Sequence, residues 1–399
     1  MTAWLTIVGI GEDGLPGLGT SAQDAISQSD ILYGGERHLK LINRAGIFWK
    51  SPLEDSFVEL DQLKGKNVTV IATGDPMWFG IGATLGSRYG ADEIRIIPAP
   101  SAFSHVAARL IWPLTEVECL TVHGRDLDRL RAFLMPGNKL IVLSNDGYTP
   151  RQIAELVKNA GFGSSPITAF SHMGGAEESR FDGTAADWDY FEIPGLNTVA
   201  LECVADKGLS VQSRTPGLPD EAFQHDGQLT KREVRAITLS ALAPMPGQML
   251  WDIGAGCGSI AIEWLRCTSN AHAFAVERNI DRLGMINANA LALGVPELKV
   301  VFGDALTEII GLPAPDAVFI GGGLTSGGLL EYSWQNLKLG GRLVANTVTF
   351  EGERCLIDAQ EKLGGELVRI EVSHAHAIGS FTGWDPLKPV TQLKILKNE

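Results

Sequence analysis

Cysteine is scarce in this 399-residue chain: Cys119, Cys203, Cys257, Cys267 and Cys355 are scattered, odd in number and form no C-x-x-C pair. That argues against a disulfide framework and against a structural zinc site. The eight histidines form no H-x-x-x-H pair. His374 and His376 would share one side of a strand, which is more often core or surface than a metal site. No metal is expected. No apolar run reaches the roughly 18 residues that span a bilayer, so no membrane association is expected. The stretch from Met1 to Gly11 lacks the basic segment of a signal peptide, which makes a cytoplasmic protein the expectation. Basic charge is also short, with 33 Lys and Arg against 47 Asp and Glu and a formal net charge of −14. Nucleic-acid binders carry a basic stripe, so no nucleic-acid partner is expected.

What is present is ordinary globular composition, 45 % hydrophobic and 20 % charged. The length suits two or three domains at roughly 100–200 residues each. A stretch rich in Gly, Pro, Ser and acidic residues, 208–227, has no sustained apolar periodicity and reads as a linker leading into the second half. On both sides of it, short β-branched runs alternate with amphipathic helical patterns, the mark of α/β architecture. The halves, 1–207 and 228–399, do not resemble each other.

In the first half, strands are expected at Leu5 to Val8, Asn67 to Ala72, Ile94 to Ile97 and Lys139 to Leu143. They end in loops rich in Gly, Pro, Asp and Ser: "GIGEDGLPGLG" from Gly9, "TGDPMWFG" from Thr73, "PAPSAF" from Pro98 and "SNDGYTP". In open α/β sheets, ligands bind outside the carboxyl ends of strands. His105 lies in an apolar helical pattern and reads as a core histidine.

In the second half, Thr230 and Glu233 form a capping box opening a helix. A strand at Met249 to Ile253 runs into Asp252-Ile253-Gly254-Ala255-Gly256-Cys257-Gly258 and a helix from Ser259. Such glycines let backbone approach a cofactor, and the helix start offers free N–H groups. Glu277 ends the next strand, where a carboxylate can accept ribose hydroxyls. Gly303-Asp304-Ala305 follows the third, where an acid can meet an adenine amine. Lys231 and Arg235 fit either a solvated helix face or carboxylate binding. His225, Asp226 and Asn346 lie near loops that could reach the site and handle a proton.

Together the second-half features resemble the class I S-adenosylmethionine methyltransferase fold, which is Rossmann-like. The run of "DGQLTKREVRAITLSALAP", "WDIGAGCGSIAIEW", "AVERN" and "FIGGG" is similar to the decarboxylating corrin methyltransferase domain of cobalamin biosynthesis. The first half, with "VGIG", "ATGDPMWFG" and "PAPSAF", resembles the tetrapyrrole methylase family, which has two α/β subdomains. "YGGERHL" and "TVHGRD" resemble its branch that methylates a corrin precursor at a meso carbon. That family often has Gly-Pro-Gly in the first loop, where this chain has Gly11-Glu12-Asp13.

The resemblance implies one S-adenosyl-L-methionine per domain. In the first half the cofactor contacts would be Gly9, Gly11, Thr73, Gly74, Asp75, Trp78, Ser101 and Ala102. In the second they would be Thr230, Asp252, Gly254, Ala255, Gly256, Gly258, Ser259, Glu277, Gly303, Asp304 and Ala305. Arg37, His38, His123, Arg125, Lys231, Arg235 and Asn346 would hold an anionic precorrin, since a polyanion needs local donors despite the net negative field. Fusion of the two families implies methylation of a precorrin-6 macrocycle at C-5 by the first half. The second half would methylate C-15 and decarboxylate the ring C acetate, giving precorrin-8. Both families tend to assemble, so a homo-oligomer is expected. The resemblance marks no catalytic side chain.

Overall fold

The structure is a computed structural model describing residues 3–398. The chain forms two units, one of residues up to Leu127 with Leu134–Leu209, the other of Asp128–Phe133 with Ser210 onward. Both are α/β.

The first unit holds two sheets, as the two-subdomain expectation requires. Its first sheet has β1 (Leu5–Ile10), β2 (Ile31–Gly34), β3 (Ile47–Phe48), β4 (Val68–Thr73) and β5 (Ile94–Ile97), all parallel, in the order β3-β2-β4-β1-β5. Interior strand β1, between β4 and β5, is buried along its whole length, as a strand covered on both faces must be. The second sheet has β6 (Val117–Thr121), β7 (Lys139–Leu143), β8 (Pro166–Ser171), β9 (Ser179–Thr184) and β10 (Asn197–Glu202), ordered β6-β7-β10-β8-β9. Only β6 and β7 pair in parallel; β10 runs antiparallel to both its neighbours.

The second unit is built on one seven-stranded sheet. Its strands are β11 (Met249–Ile253), β12 (His272–Glu277), β13 (Lys299–Phe302), β14 (Ala317–Ile320), β15 (Arg342–Thr347), β16 (Glu366–Ile370) and, beyond a hairpin, β19 (Val390–Leu396). The order is β13-β12-β11-β14-β15-β19-β16, with β19 antiparallel to β15 and β16. That is the class I methyltransferase arrangement. The order reverses beside β11, so the loop after β11 sits where open sheets bind ligands. The hairpin β17 (Ser373–Ile378) and β18 (Phe381–Pro386) pairs only with itself.

Two expectations fail here. The 208–227 stretch is no free linker: Leu218 and Phe223 are buried in the second unit's core. Glu263 accepts the backbone N–H groups of Gly217 and Leu218 at 2.6 and 3.0 Å, and the Arg266 guanidinium donates to the carbonyls of Gln212 and Ser213. Polar composition concealed backbone groups satisfied by buried side chains. The capping box is also absent. The helix spans Arg232–Leu242 with Lys231 at its N-cap and no side-chain cap. Arg235 donates to the Thr230 carbonyl at 2.5 Å, which leaves Thr230 outside the helix.

Candidate functional site

Three strand-end loops of the first sheet meet in close backbone contact. A Cβ on Gly9 would run into the Gly74 carbonyl and reach 2.7 Å from the Ala99 nitrogen, so only glycine fits. Gly74, with φ at 54°, donates to the Ile10 carbonyl at 2.9 Å and accepts from Ala99 at 3.2 Å. The cleft beyond is lined by Ile10, Gly11, Glu12, Arg37, Thr73, Gly74, Pro100, Ala102 and His105, and from the second sheet's side by Phe170, His172, Met173, Leu196, Asn197 and Thr198.

Of the expected cofactor contacts, Gly11, Thr73, Gly74 and Ala102 line this cleft. Gly9 lies behind it as packing. The Ser101 hydroxyl caps the helix Ala102–Leu110, accepting from the Ser104 N–H at 3.2 Å. Asp75 turns its carboxylate to the Met77 N–H at 2.9 Å, and Trp78 packs on Phe103 with ring centroids 5.0 Å apart.

Of the expected substrate residues, Arg37 lines the cleft, while His123 and Arg125 are exposed and lie outside its lining. The Arg125 guanidinium lies over the Phe79 ring at 5.2 Å. Arg37 pairs with one Glu12 oxygen and donates to Thr73 Oγ1 at 3.1 Å. His38 Nε2 lies 2.7 Å from the same hydroxyl, and its buried Nδ1 has no partner. Burial pushes the His38 pKa down to about 4, and Arg37 adds to that, so the ring is neutral at neutral pH.

The acidic loop thus has a use that the glycine-proline pattern hides. The other Glu12 oxygen lies 2.8 Å from His172 Nδ1, so Glu12 joins the first sheet's loop to the second sheet. His105 is not enclosed core. It lines the cleft, with Nδ1 facing Arg109 at 3.3 Å. Arg109 in turn forks onto Glu178 at 2.5 Å and holds that carboxyl down at about 2.

In the second unit the loop after β11 carries positive φ at Gly254 (71°), Gly256 (61°) and Gly258 (82°), which side chains rarely adopt. A Cβ on Gly254 would come 2.6 Å from Gly322, so the loops after β11 and β14 touch through glycine alone. Glu277 is buried at the end of β12. One of its oxygens accepts from Gly256 N–H at 2.8 Å and the other from Asn279 N–H at 2.9 Å. Asp252 is fully buried beneath the loop. One oxygen accepts from Ala261 N–H in the first turn of the helix Ser259–Cys267, and Oδ1 has no partner. Burial pushes its carboxyl up to about 7, with the Glu277 charge adding. Asp304 is exposed and caps the short helix Ala305–Glu308, accepting from Leu306 N–H at 3.2 Å.

The expected substrate role of Arg235 is overturned. Its side chain is completely buried and donates to Glu263 at 2.6 Å, Asp220 at 3.1 Å and the carbonyls of Thr230 and Leu218. The guanidinium also lies over the Phe223 ring at 4.7 Å, so it ties the core together and offers no face to a substrate. Lys231 remains partly exposed, 3.4 Å from Asp220. Asn346, at the end of β15, donates to Thr238 Oγ1 at 2.8 Å and accepts from Gln392 at 2.9 Å.

Comparison with known proteins agrees with this geometry. Residues 4–189 match the family model of tetrapyrrole (corrin/porphyrin) methylases, and residues 221–397 match that of the precorrin methyltransferase domain. The precorrin-6Y C(5,15)-methyltransferase [decarboxylating] of Sinorhizobium sp is 46 % identical over 98 % of this chain and 96 % of its own. Its namesake from Mycobacterium tuberculosis is 38 % identical over 98 % of this chain and 100 % of its own. A Pyrobaculum aerophilum protein named "Probable cobalt-precorrin-6B C(15)-methyltransferase (decarboxylating)" is 33 % identical over 44 % of this chain and 93 % of its own.

Proposed function

The chain belongs to the decarboxylating precorrin-6Y C(5,15)-methyltransferases, and from that membership we propose that it methylates a precorrin-6 macrocycle at C-5 and C-15. It also removes carbon dioxide from the ring C acetate, giving precorrin-8 in cobalamin biosynthesis. The observation that carries this reading is identity of 46 % across both units to one relative of that name. We assign C-5 to the first unit. C-15 and decarboxylation go to the second, a division supported by the Pyrobaculum protein, whose name carries only those two activities.

Each unit would bind one S-adenosyl-L-methionine, which supplies an electrophilic methyl on sulfur. The residues present fit it. In the first unit Gly11, Thr73, Gly74 and Ala102 offer a backbone-lined cleft. In the second, the left-handed glycines of the loop allow close backbone approach beside the buried Glu277 carboxylate, suited to ribose hydroxyls, and the unpartnered Asp252 oxygen lies beneath. Arg37 is the first-unit cation placed to meet a substrate carboxylate, and Lys231 is its counterpart in the second. The remaining work is orientation of the meso carbon in line with the methyl, which can contribute roughly 7–11 kcal/mol. The reaction is assigned to the cytoplasm. A homo-oligomer is supported by the β17–β18 hairpin, which exposes Ile378, Phe381 and Trp384. Replacing Phe381 and Trp384 by serine should lower the mass seen by sedimentation.

The test is turnover of the whole chain with the reduced precorrin-6 macrocycle and excess cofactor, followed by mass spectrometry. Gain of two methyls with loss of one carbon dioxide is expected. Bound cofactor with no change in macrocycle mass would move the substrate outside this pathway. Glu277→Gln should abolish the C-15 methyl and leave the C-5 methyl.

A further inference from the structure

Replacing hydrogen by methyl at an sp2 meso carbon releases one proton per methyl. We propose that His172, held by Glu12, is the catalytic base that takes this proton in the first unit's cleft. The proposal rests on the C-5 methylation assigned above to that unit.

The tautomers follow from the partners. A carboxylate only accepts, so the 2.8 Å contact to Glu12 puts the His172 proton on Nδ1 and leaves a lone pair on Nε2. That Nε2 makes no hydrogen bond among the described residues, and His172 is one of the residues lining the cleft, with its side chain 22 % exposed. The other candidates are unsuited. Arginine only donates, so Arg109 at 3.3 Å makes His105 Nδ1 the acceptor and leaves its proton on Nε2, a donor. His38 is outside the cleft lining, with Nε2 held at Thr73 Oγ1. Both Glu12 oxygens are engaged, by Arg37 and His172. Backbone geometry adds an independent observation. His172 has φ of 47°, a left-handed conformation uncommon outside glycine, immediately after β8. Such strain gathers at functional positions.

The step balances. The π pair of the meso carbon forms the new C–CH3 bond, and the CH3–S bond breaks with its pair remaining on sulfur. The C–H bond at the same carbon then breaks. Its pair restores the π bond and its proton passes to His172 Nε2. Glu12 stabilises the resulting imidazolium, as the carboxylate does in a Ser-His-Asp triad, and the proton then leaves to water.

The discriminating variant is His172→Asn. Asparagine tolerates the left-handed backbone and presents an N–H where Nδ1 stood, so it keeps the Glu12 contact and removes only Nε2. In the full chain, with S-adenosyl-L-methionine and the precorrin-6 macrocycle, C-5 methylation read by 13C-methyl NMR should fall at least about 100-fold. Calorimetric cofactor binding by the first unit should stay within about twofold, since no binding contact is removed. Independently of turnover, 15N NMR of the cofactor-free chain at pH 8 should show a pyridine-type Nε2 at His172. A variant C-5 rate near wild type overturns the proposal. So does a proton on Nε2 at pH 8, and so does loss of cofactor affinity matching the loss of rate. A wild-type chain that never methylates C-5 defeats the functional reading itself, which separates the two failures.

Discussion

The two units place their charges in opposite ways around sites that both sit at strand ends. In the first, Glu12, Arg37, His105 and His172 line the cleft itself. In the second, Arg235, Glu263, Arg266 and Arg342 are buried in the frame, sewing helices and irregular segments together. A cleft between two sheets can bring side chains from both to one place. A loop over a single sheet has no facing sheet to supply side chains, and the buried charges beneath and beside it do structural work. The same residue type, arginine in a helix near a strand-end loop, therefore lines a cleft in one unit and is buried in the core of the other.

The strongest way to break that contrast is to remove Arg235. Arg235→Met leaves Glu263 buried with only the Gly217 and Leu218 N–H groups. Stranding one partner of a buried ion pair costs about 3–5 kcal/mol. The second unit should lose that much stability while the first keeps its own, as read by pulse proteolysis in urea with fragments of each unit followed separately. Equal loss in both units would show that the pair is not a local brace.

Opposite pH trends sharpen the contrast further. His38 has its folded pKa lowered to about 4 from 6.5. Between those values the unfolded chain binds the proton and the folded one does not, so first-unit stability falls as pH drops from 6.5 toward 4. Asp252 is raised to about 7 from 3.8, so between those values the folded chain holds the proton. Second-unit stability from this group is complete below 3.8 and is lost as pH rises toward 7. Each swing is at most on the order of 3–5 kcal/mol, the larger belonging to Asp252. His38→Gln should flatten the acid-side loss in the first unit, and Asp252→Asn should flatten the opposite slope in the second. Urea midpoints across pH 4–7, resolved by unit, test both. Slopes unchanged by the substitutions would assign the pH dependence to other groups.

The same contrast explains what was legible in the sequence. The strands at Leu5, Asn67 and Met249, the glycine loop after β11 and the acid at Glu277 were readable because each is signalled within a few residues. The rest depends on partners far along the chain. Arg235 has its acid 28 positions away in another helix, and Glu12 meets His172 across 160 positions. Nothing near "SHMGG" marks His172, and the antiparallel strands that carry it gave no periodic signal. The Thr230 capping pattern was locally correct and lost to a buried guanidinium that claims the Thr230 carbonyl.

The smallest effects belong to the two caps at the cofactor loops. The Ser101 hydroxyl is buried and engaged with the Ser104 N–H, and its helix carries His105 to the cleft. Ser101→Ala should therefore cost the first unit about 1 kcal/mol and leave its cofactor affinity unchanged, since any contact it makes comes from backbone. Asp304 is exposed and caps only a four-residue helix. Asparagine caps as well as aspartate, so Asp304→Asn should alter second-unit stability by less than about 0.5 kcal/mol. It removes an acceptor oxygen and a charge that face the solvent side of the loop, and calorimetry should show second-unit cofactor affinity falling by roughly 3- to 10-fold, the scale of one hydrogen bond. If Ser101→Ala weakened the cofactor and Asp304→Asn did not, the Ser101 hydroxyl would be a ligand contact in the first unit and the Asp304 carboxylate would not be one in the second, the opposite of what is expected at these two caps.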